Sequence, residues 1–153
     1  SLVIRDVIKT QHCLVASPHL LQDKHIENFD DLAQFPSIVL GTQKSQYSWQ
    51  LYHLQTKATA SISLTPRIKS NDLAGVYYSA LDGLGIADLP YLTVQGDIAT
   101  GRLVHILPQW CSNIGMVQLV YASRKGQRLA MRRLIEFLVE QLRQLKQLPG
   151  YEA

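Results

Sequence analysis

The stretch SNDLAGVYYSALDGLGIADLP, residues 70–90, decides the fold of this chain. Three small polar residues open it, an apolar-rich segment follows, and two glycines and a proline close it. A helix from about Asp72 to Asp82 places Leu73, Val76, Tyr77, Ala80 and Leu81 on one side at helical spacing. Ser70, Asn71 and Asp72 stand where an N-cap belongs, and Gly83 where a left-handed C-terminal cap belongs. The LGIADL that follows reads as a short strand ended by Pro90. A phosphate loop needs its glycines between a strand and the next helix, so that helix N–H groups face the phosphate. Gly83 and Gly85 lie between a helix and the next strand, the wrong end, so they read as a helix stop and a tight strand entry.

Working outward, HCLVA (12–16) and SIVLG (37–41) are short buried strands. Ser17 caps a helix at SPHLL with Pro18 in its first position, where a missing N–H is harmless. FDDLAQF (29–35) is a short helix stopped by Pro36. YSWQLYHL and ATASISLTP flank a polar connection at Gln55–Lys57 and form a hairpin. In its second arm Ala58, Ala60, Ile62 and Leu64 alternate with Thr59, Ser61 and Ser63, the period of a half-exposed antiparallel strand. RIKS (67–70) continues extended. YLTVQGDIAT gives a short helix or turn before Gly101, Leu103–Leu107 a strand, and NIGMVQLVYAS (113–123) a longer strand. A last helix runs from about Gln127 to Leu145, with Met131, Leu134, Ile135, Leu138, Leu142 and Leu145 as its apolar stripe. Strands alternating with helices, plus a hairpin, make an α/β domain with a mixed sheet.

Bulk properties narrow the function. The chain has 153 residues, 46% hydrophobic and 18% charged, enough for one globular domain with a core. Its net charge of +3 is too small to argue for nucleic-acid binding by this piece alone. No apolar run approaches the roughly 18 residues of a membrane helix, and no signal peptide opens the chain, so no membrane partner is expected and the cytoplasm is the default compartment. Cys13 and Cys111 are read as buried free thiols. The start, SLVIRDVIKT, reads like the middle of a domain, so a fragment is expected.

Two places invite a ligand. In α/β sheets, ligands bind outside the carboxyl ends of strands. Ser70, Asn71 and Asp72 sit at such an end and at a helix start, where free N–H groups attract carboxylates. GTQKS (41–45) is the second edge: Gly41 permits close backbone approach, and Thr42 and Ser45 offer donors. Ser17 is a weaker third. No G-x-S-x-G elbow appears, the five histidines lack metal-ligand spacing, and no spacing favours Asp72 with a histidine as an enzyme's acid–base pair. No catalytic residue, metal or cofactor is therefore expected.

The order of segments carries a resemblance. CLVASPHLL, DLAQFPSIVL, the Trp-bearing hairpin, SND…AL.GLGIA.LP, GRLV.ILP.W and VYASR…R.LIEFL follow one another as in the effector-binding region of LysR-type transcriptional regulators, from about Leu2 to Leu142. The resemblance implies a two-lobed fold of the type II periplasmic-binding-protein kind. On it, residues 1–7 are a remnant of the first lobe and crossover, 8–115 the second lobe, 116–146 a strand and helix returning to the first lobe, and 147–153 a tail. It implies a small-molecule effector held between the lobes by Gly41, Thr42, Ser45, Ser70, Asn71, Asp72 and Ser17 as binding residues, whose hydroxyl, amide and helix N–H donors suit a small carboxylate or polar metabolite. It further implies a homo-oligomer, and promoter DNA contacted only through an N-terminal winged helix-turn-helix domain that residues 1–153 do not contain. The last helix would lack its usual sheet and pack on its own lobe or on another chain. A solute-binding module of a transport system shares the architecture and is the alternative.

Overall fold

A computed structural model describes residues 1–41, 46–123, 125 and 128–145. The order is β1 (Leu2–Ala16), α1 (Pro18–Leu21), α2 (Phe29–Leu32), β2 (Ser37–Leu40), β3 (Tyr47–His53), β4 (Thr59–Leu64), β5 (Pro66–Ser70), α3 (Leu73–Leu81), β6 (Ile86–Pro90), α4 (Tyr91–Thr100), β7 (Val104–Ile106), β8 (Trp110–Ala122) and α5 (Leu129–Arg143). One sheet runs β4-β3-β8-β1-β6-β2-β5, with β7 added to β1. β2 pairs in parallel with β5 and β6, and the other pairings are antiparallel. The expected mixed sheet is present.

The sheet has a core on each face, and β1 shows how its sequence feeds both. Side chains alternate along a strand. Cys13 and Val15 join Val76, Ala80 and Val94 under α3 and α4. Leu14 and Ala16 join Leu21, Leu32 and Trp49 beside α1 and α2. β6 divides likewise, Ala87 and Leu89 to the first core and Ile86 to the second. Both cysteines are free and fully buried, as expected, and burial raises both thiols above their ordinary values. Asp97, buried on α4, accepts a 2.7 Å hydrogen bond from the Tyr77 hydroxyl and pairs with Arg102, tying α4 to α3.

The opening stretch folds as its spacing predicts. Asp72 caps α3 by accepting from the Gly75 N–H at 2.6 Å, and Val76 and Ala80 are buried. Gly83 turns left-handed at φ +75°, and its N–H and that of Leu84 close onto the carbonyls of Ala80 and Ser79. Gly85 is a close approach: a Cβ there would come 2.9 Å from the Pro36 carbonyl oxygen and 3.2 Å from the Ser37 carbonyl carbon. The β2–β6 pairing therefore begins with two backbones nearly touching.

Two expectations change. The first strand is not confined to residues 12–16: β1 spans 15 residues and pairs with β8 from Leu2↔Ala122 to His12↔Ser112. Beyond the main sheet, residues 2–10 and 115–122 thus form a two-stranded ribbon. The stripe of α5 is also rotated. Ile135 and Val139 are buried and Leu138 and Leu142 half-buried, whereas Met131, Leu134 and Leu145 are exposed. The helix packs against the β1 part of the ribbon, where Val3, Arg5 and Val7 are half-buried and Leu2, Ile4 and Asp6 on the opposite face are exposed.

Candidate functional site

β2, β5 and β6 are mutually parallel, so their carboxyl ends share one edge of the sheet. The two sequence-chosen edges meet there. Leu40 is in register with Ser70, and the Gly41 N–H donates to the Ser70 carbonyl at 2.6 Å. Gly41 has φ +110°, a conformation that favours glycine. The Tyr47 hydroxyl donates to the Gly41 carbonyl at 2.8 Å, and Lys69 Nζ sits 5.0 Å from the centre of the Tyr47 ring. Tyr47 thereby ties the start of β3 to the end of β2. Thr42 and Ser45 lie outside the described residues.

Ser70 and Asp72 are engaged with the backbone. Ser70 Oγ donates to the Asp72 carbonyl and accepts from the Asp72 N–H, while the Asp72 carboxylate caps Gly75. Asn71 is exposed beside them. An acidic side chain thus already occupies the helix N-terminus that the sequence offered to an anion. Ser17 is not brought to this edge. It is 4% exposed, accepts from the His19 N–H as the cap of α1, and lies beside Gly83 at the other end of α3.

Next to Gly41 a cavity of about 280 Å³ opens. Ile38–Leu40 of β2, Tyr47–Trp49 of β3 and Leu73 of α3 line it, with His12, Asp88 and Asn113. β2 and β3 are separated in strand order by β8, β1 and β6, so the sheet curls to bring them across one opening. The polar floor comes from three neighbouring strands. Leu14 pairs with Asp88, which makes His12 its diagonal neighbour on the same face, and His12 pairs with Ser112. Ser112 Oγ donates to the Asp88 carboxylate, and His12 Nδ1 lies 3.7 Å from Asp88 Oδ1.

A β-bulge forms the rim. Gln11 pairs with Ile114 and His12 with Ser112, leaving Asn113 as the extra residue, at φ +34°. Asn tolerates the left-handed region because its short amide can bond locally. Bulges bend strands and re-aim side chains. This one turns Asn113 onto the cavity at the point where the β1–β8 ribbon leaves the main sheet.

Sequence reading missed His12, Asp88, Asn113, Tyr47 and Trp49 as lining residues. They come from four strands, and no local spacing joins them. The one available signal was polarity inside apolar runs: His12 opens HCLVA, and Asp88 interrupts LGIADLP.

A curled mixed α/β sheet with a cavity at the carboxyl ends of its parallel strands is the architecture of a ligand-binding domain. Residues 1–143 match the LysR substrate binding domain, and the chain belongs to that family. Its fold is the periplasmic-binding-protein-like one. The HTH-type transcriptional regulator PtxR of Pseudomonas aeruginosa is 32% identical over 112 residues, 73% of this chain and 35% of that protein. The HTH-type transcriptional regulator DmlR of Escherichia coli is 30% identical over 140 residues, 90% of this chain and 45% of that protein. The regulatory domain of CrgA from Neisseria meningitidis superimposes with a TM-score of 0.75 at 25% identity, covering 92% of this chain and 69% of that one. The chain spans less than half the length of these two regulators.

Proposed function

We propose that this chain is the ligand-sensing part of a LysR-type DNA-binding transcriptional regulator. A small-molecule effector binds the cavity beside Gly41 and changes promoter binding by the longer protein. The observation that carries this reading is the placement of the Asn113 bulge. The cavity and the root of the β1–β8 ribbon share it, so a ligand held by His12, Asp88 and Asn113 biases the angle at which the ribbon leaves the sheet. In this reading residues 8–115 are the second lobe, residues 1–7 and 116–146 belong to the first, and 147–153 are a tail. β1 and β8 are the hinge between lobes. Gly41, Ser70, Asn71 and Asp72 lie at the edge of the second-lobe wall and, with Thr42 and Ser45, are its proposed effector-binding residues, while Ser17 serves as the cap of α1. Promoter DNA is contacted through a helix-turn-helix domain, in a homo-oligomer, in the cytoplasm. The site binds its ligand and does not transform it. The relatives above are named as regulators, which favours this reading over a transport module.

The cavity suits a small polar metabolite. The Asp88 carboxylate on its floor asks for a donor, so the effector is a small carboxylate that also carries a hydroxyl or amine. Its acid group faces the His12 side of the cavity. Ligands that bind only the folded state raise apparent stability as RT ln(1 + [L]/Kd). A thermal-shift screen of hydroxy and amino acids on the full-length protein tests this. At least one is expected to raise Tm in the wild type and to lose that effect in Asp88→Asn. A screen without any such compound, or a shift indifferent to Asp88→Asn and His12→Ala, overturns the reading.

A further inference from the structure

We propose that the chain carries a second ligand site, which takes a neutral molecule built on one aromatic ring. The site is a cavity of about 220 Å³ between α2, the β3–β4 hairpin and the starts of β2 and β6. Leu32, Phe35, Trp49, Ile62, Leu64 and Ile86 give it apolar walls. Its polar side chains are the hydroxyls of Ser37, Ser63 and Thr65, and among the described residues no ionisable side chain lines it. A charged ligand entering it would lose hydration without gaining a partner. An apolar cavity of about 150 Å³ holds benzene. This one has room for a ring with a short substituent whose hydroxyl meets the serine and threonine side.

The two cavities are neighbours on one face of the sheet. Side chains two apart on a strand point the same way: Ile86 lines this cavity and Asp88 the first, both from β6. Trp49 lines both and stands between them. The chemistry on its two sides differs, histidine and carboxylate on one, hydrocarbon and hydroxyls on the other. The second site therefore selects a different ligand from the first, and Trp49 is its built-in reporter.

The test is a titration of the full chain with benzyl alcohol, read by tryptophan emission. The chain has two tryptophans, so Trp110→Phe leaves Trp49 as the emitter. A saturable change in emission is expected, lost on adding Ala33→Phe or Thr65→Phe, and kept on adding Asp88→Asn. Ala33 and Thr65 line the cavity yet are exposed, so a phenyl group at either fills the mouth without replacing a core residue. A linear, non-saturating change overturns the proposal. So does a saturable response that survives both mouth-filling variants. So does one abolished by Asp88→Asn, which would place the probe in the first cavity.

Discussion

At the scale of residues, two positions carry more than their size suggests. Gly85 allows the β2–β6 pairing to start, because a methyl group there would press on the Pro36–Ser37 backbone, which cannot swing aside. Gly85→Ala is expected to destabilise the fold by about 1–3 kcal/mol, read from the midpoint of urea unfolding, whereas Gly96→Ala, with open space around its Cβ position, is expected not to. Equal costs at the two sites would show that the close approach is not what requires glycine. His105 is the acid-sensitive point. It sits in β7 opposite Val15, its Nε2 is buried without a hydrogen-bond partner, and burial pushes its imidazole below the ordinary value. From about pH 6.5 downward the unfolded chain takes up this proton more readily than the folded one. Stability is then present above that pH and is lost as pH falls. Thermal midpoints between about pH 7 and pH 5 should decline in the wild type and decline less in His105→Phe; parallel slopes would refute the assignment.

At the scale of elements, α5 is attached by a narrow seam. Ile135 and Val139 are its buried residues, and Leu129, Met131, Leu134 and Phe137 are exposed. Val139→Asp buries a charge without a partner and is expected to release the helix. Amides of residues 2–9 and 116–122 should then exchange faster while those of β2 and β6 keep their protection. Uniform loss of protection would mean that the ribbon and the main sheet unfold as one unit. The same helix shows what sequence could reveal. Periodicity places a helix there, but Leu134 and Val139 are both apolar, and only the position of the ribbon decides which one is covered. For α3 the reading was fuller: Asp72, Gly83 and the apolar face all act locally, so the sequence states them directly. The full length of β1 was hidden because Leu2, Ile4, Val3 and Val7 give apolar residues on both faces and no clean alternation. The sheet edge beside the cavity was legible, its lining was not. Gly41 and Ser70 end strands, which a linear reading can find. His12, Asp88 and Ser112 become neighbours only through the order β8-β1-β6, and that order is a property of the folded sheet.

At the scale of the whole molecule, the ribbon leaves apolar surface and backbone uncovered. Leu2, Ile4 and Val120 are 74%, 63% and 58% exposed, and Ile4 pairs directly with Val120 on the open face. Among the described strands, no further strand pairs with the outer edges of the ribbon from residue 2 to 10 and from 113 to 121. Such edges template pairing with other chains unless charged or covered. This chain is expected to self-associate with rising concentration, and Val120→Lys to move it toward the monomer in sedimentation velocity. Identical sedimentation of the two at all concentrations would place any association elsewhere.

The pairing of β1 with β8 also sets a timetable. β1 waits for β8: Leu2 finds its partner at Ala122, and the Gln118 amide that bonds Asp6 is 112 residues downstream. Residues 2–10 therefore leave the ribosome well before the strand they pair with in this sheet. Contacts that distant close slowly, because the loop between them must be ordered first. Until β8 emerges the β1–β8 pairing cannot form, so this ribbon is among the later parts of the sheet to close.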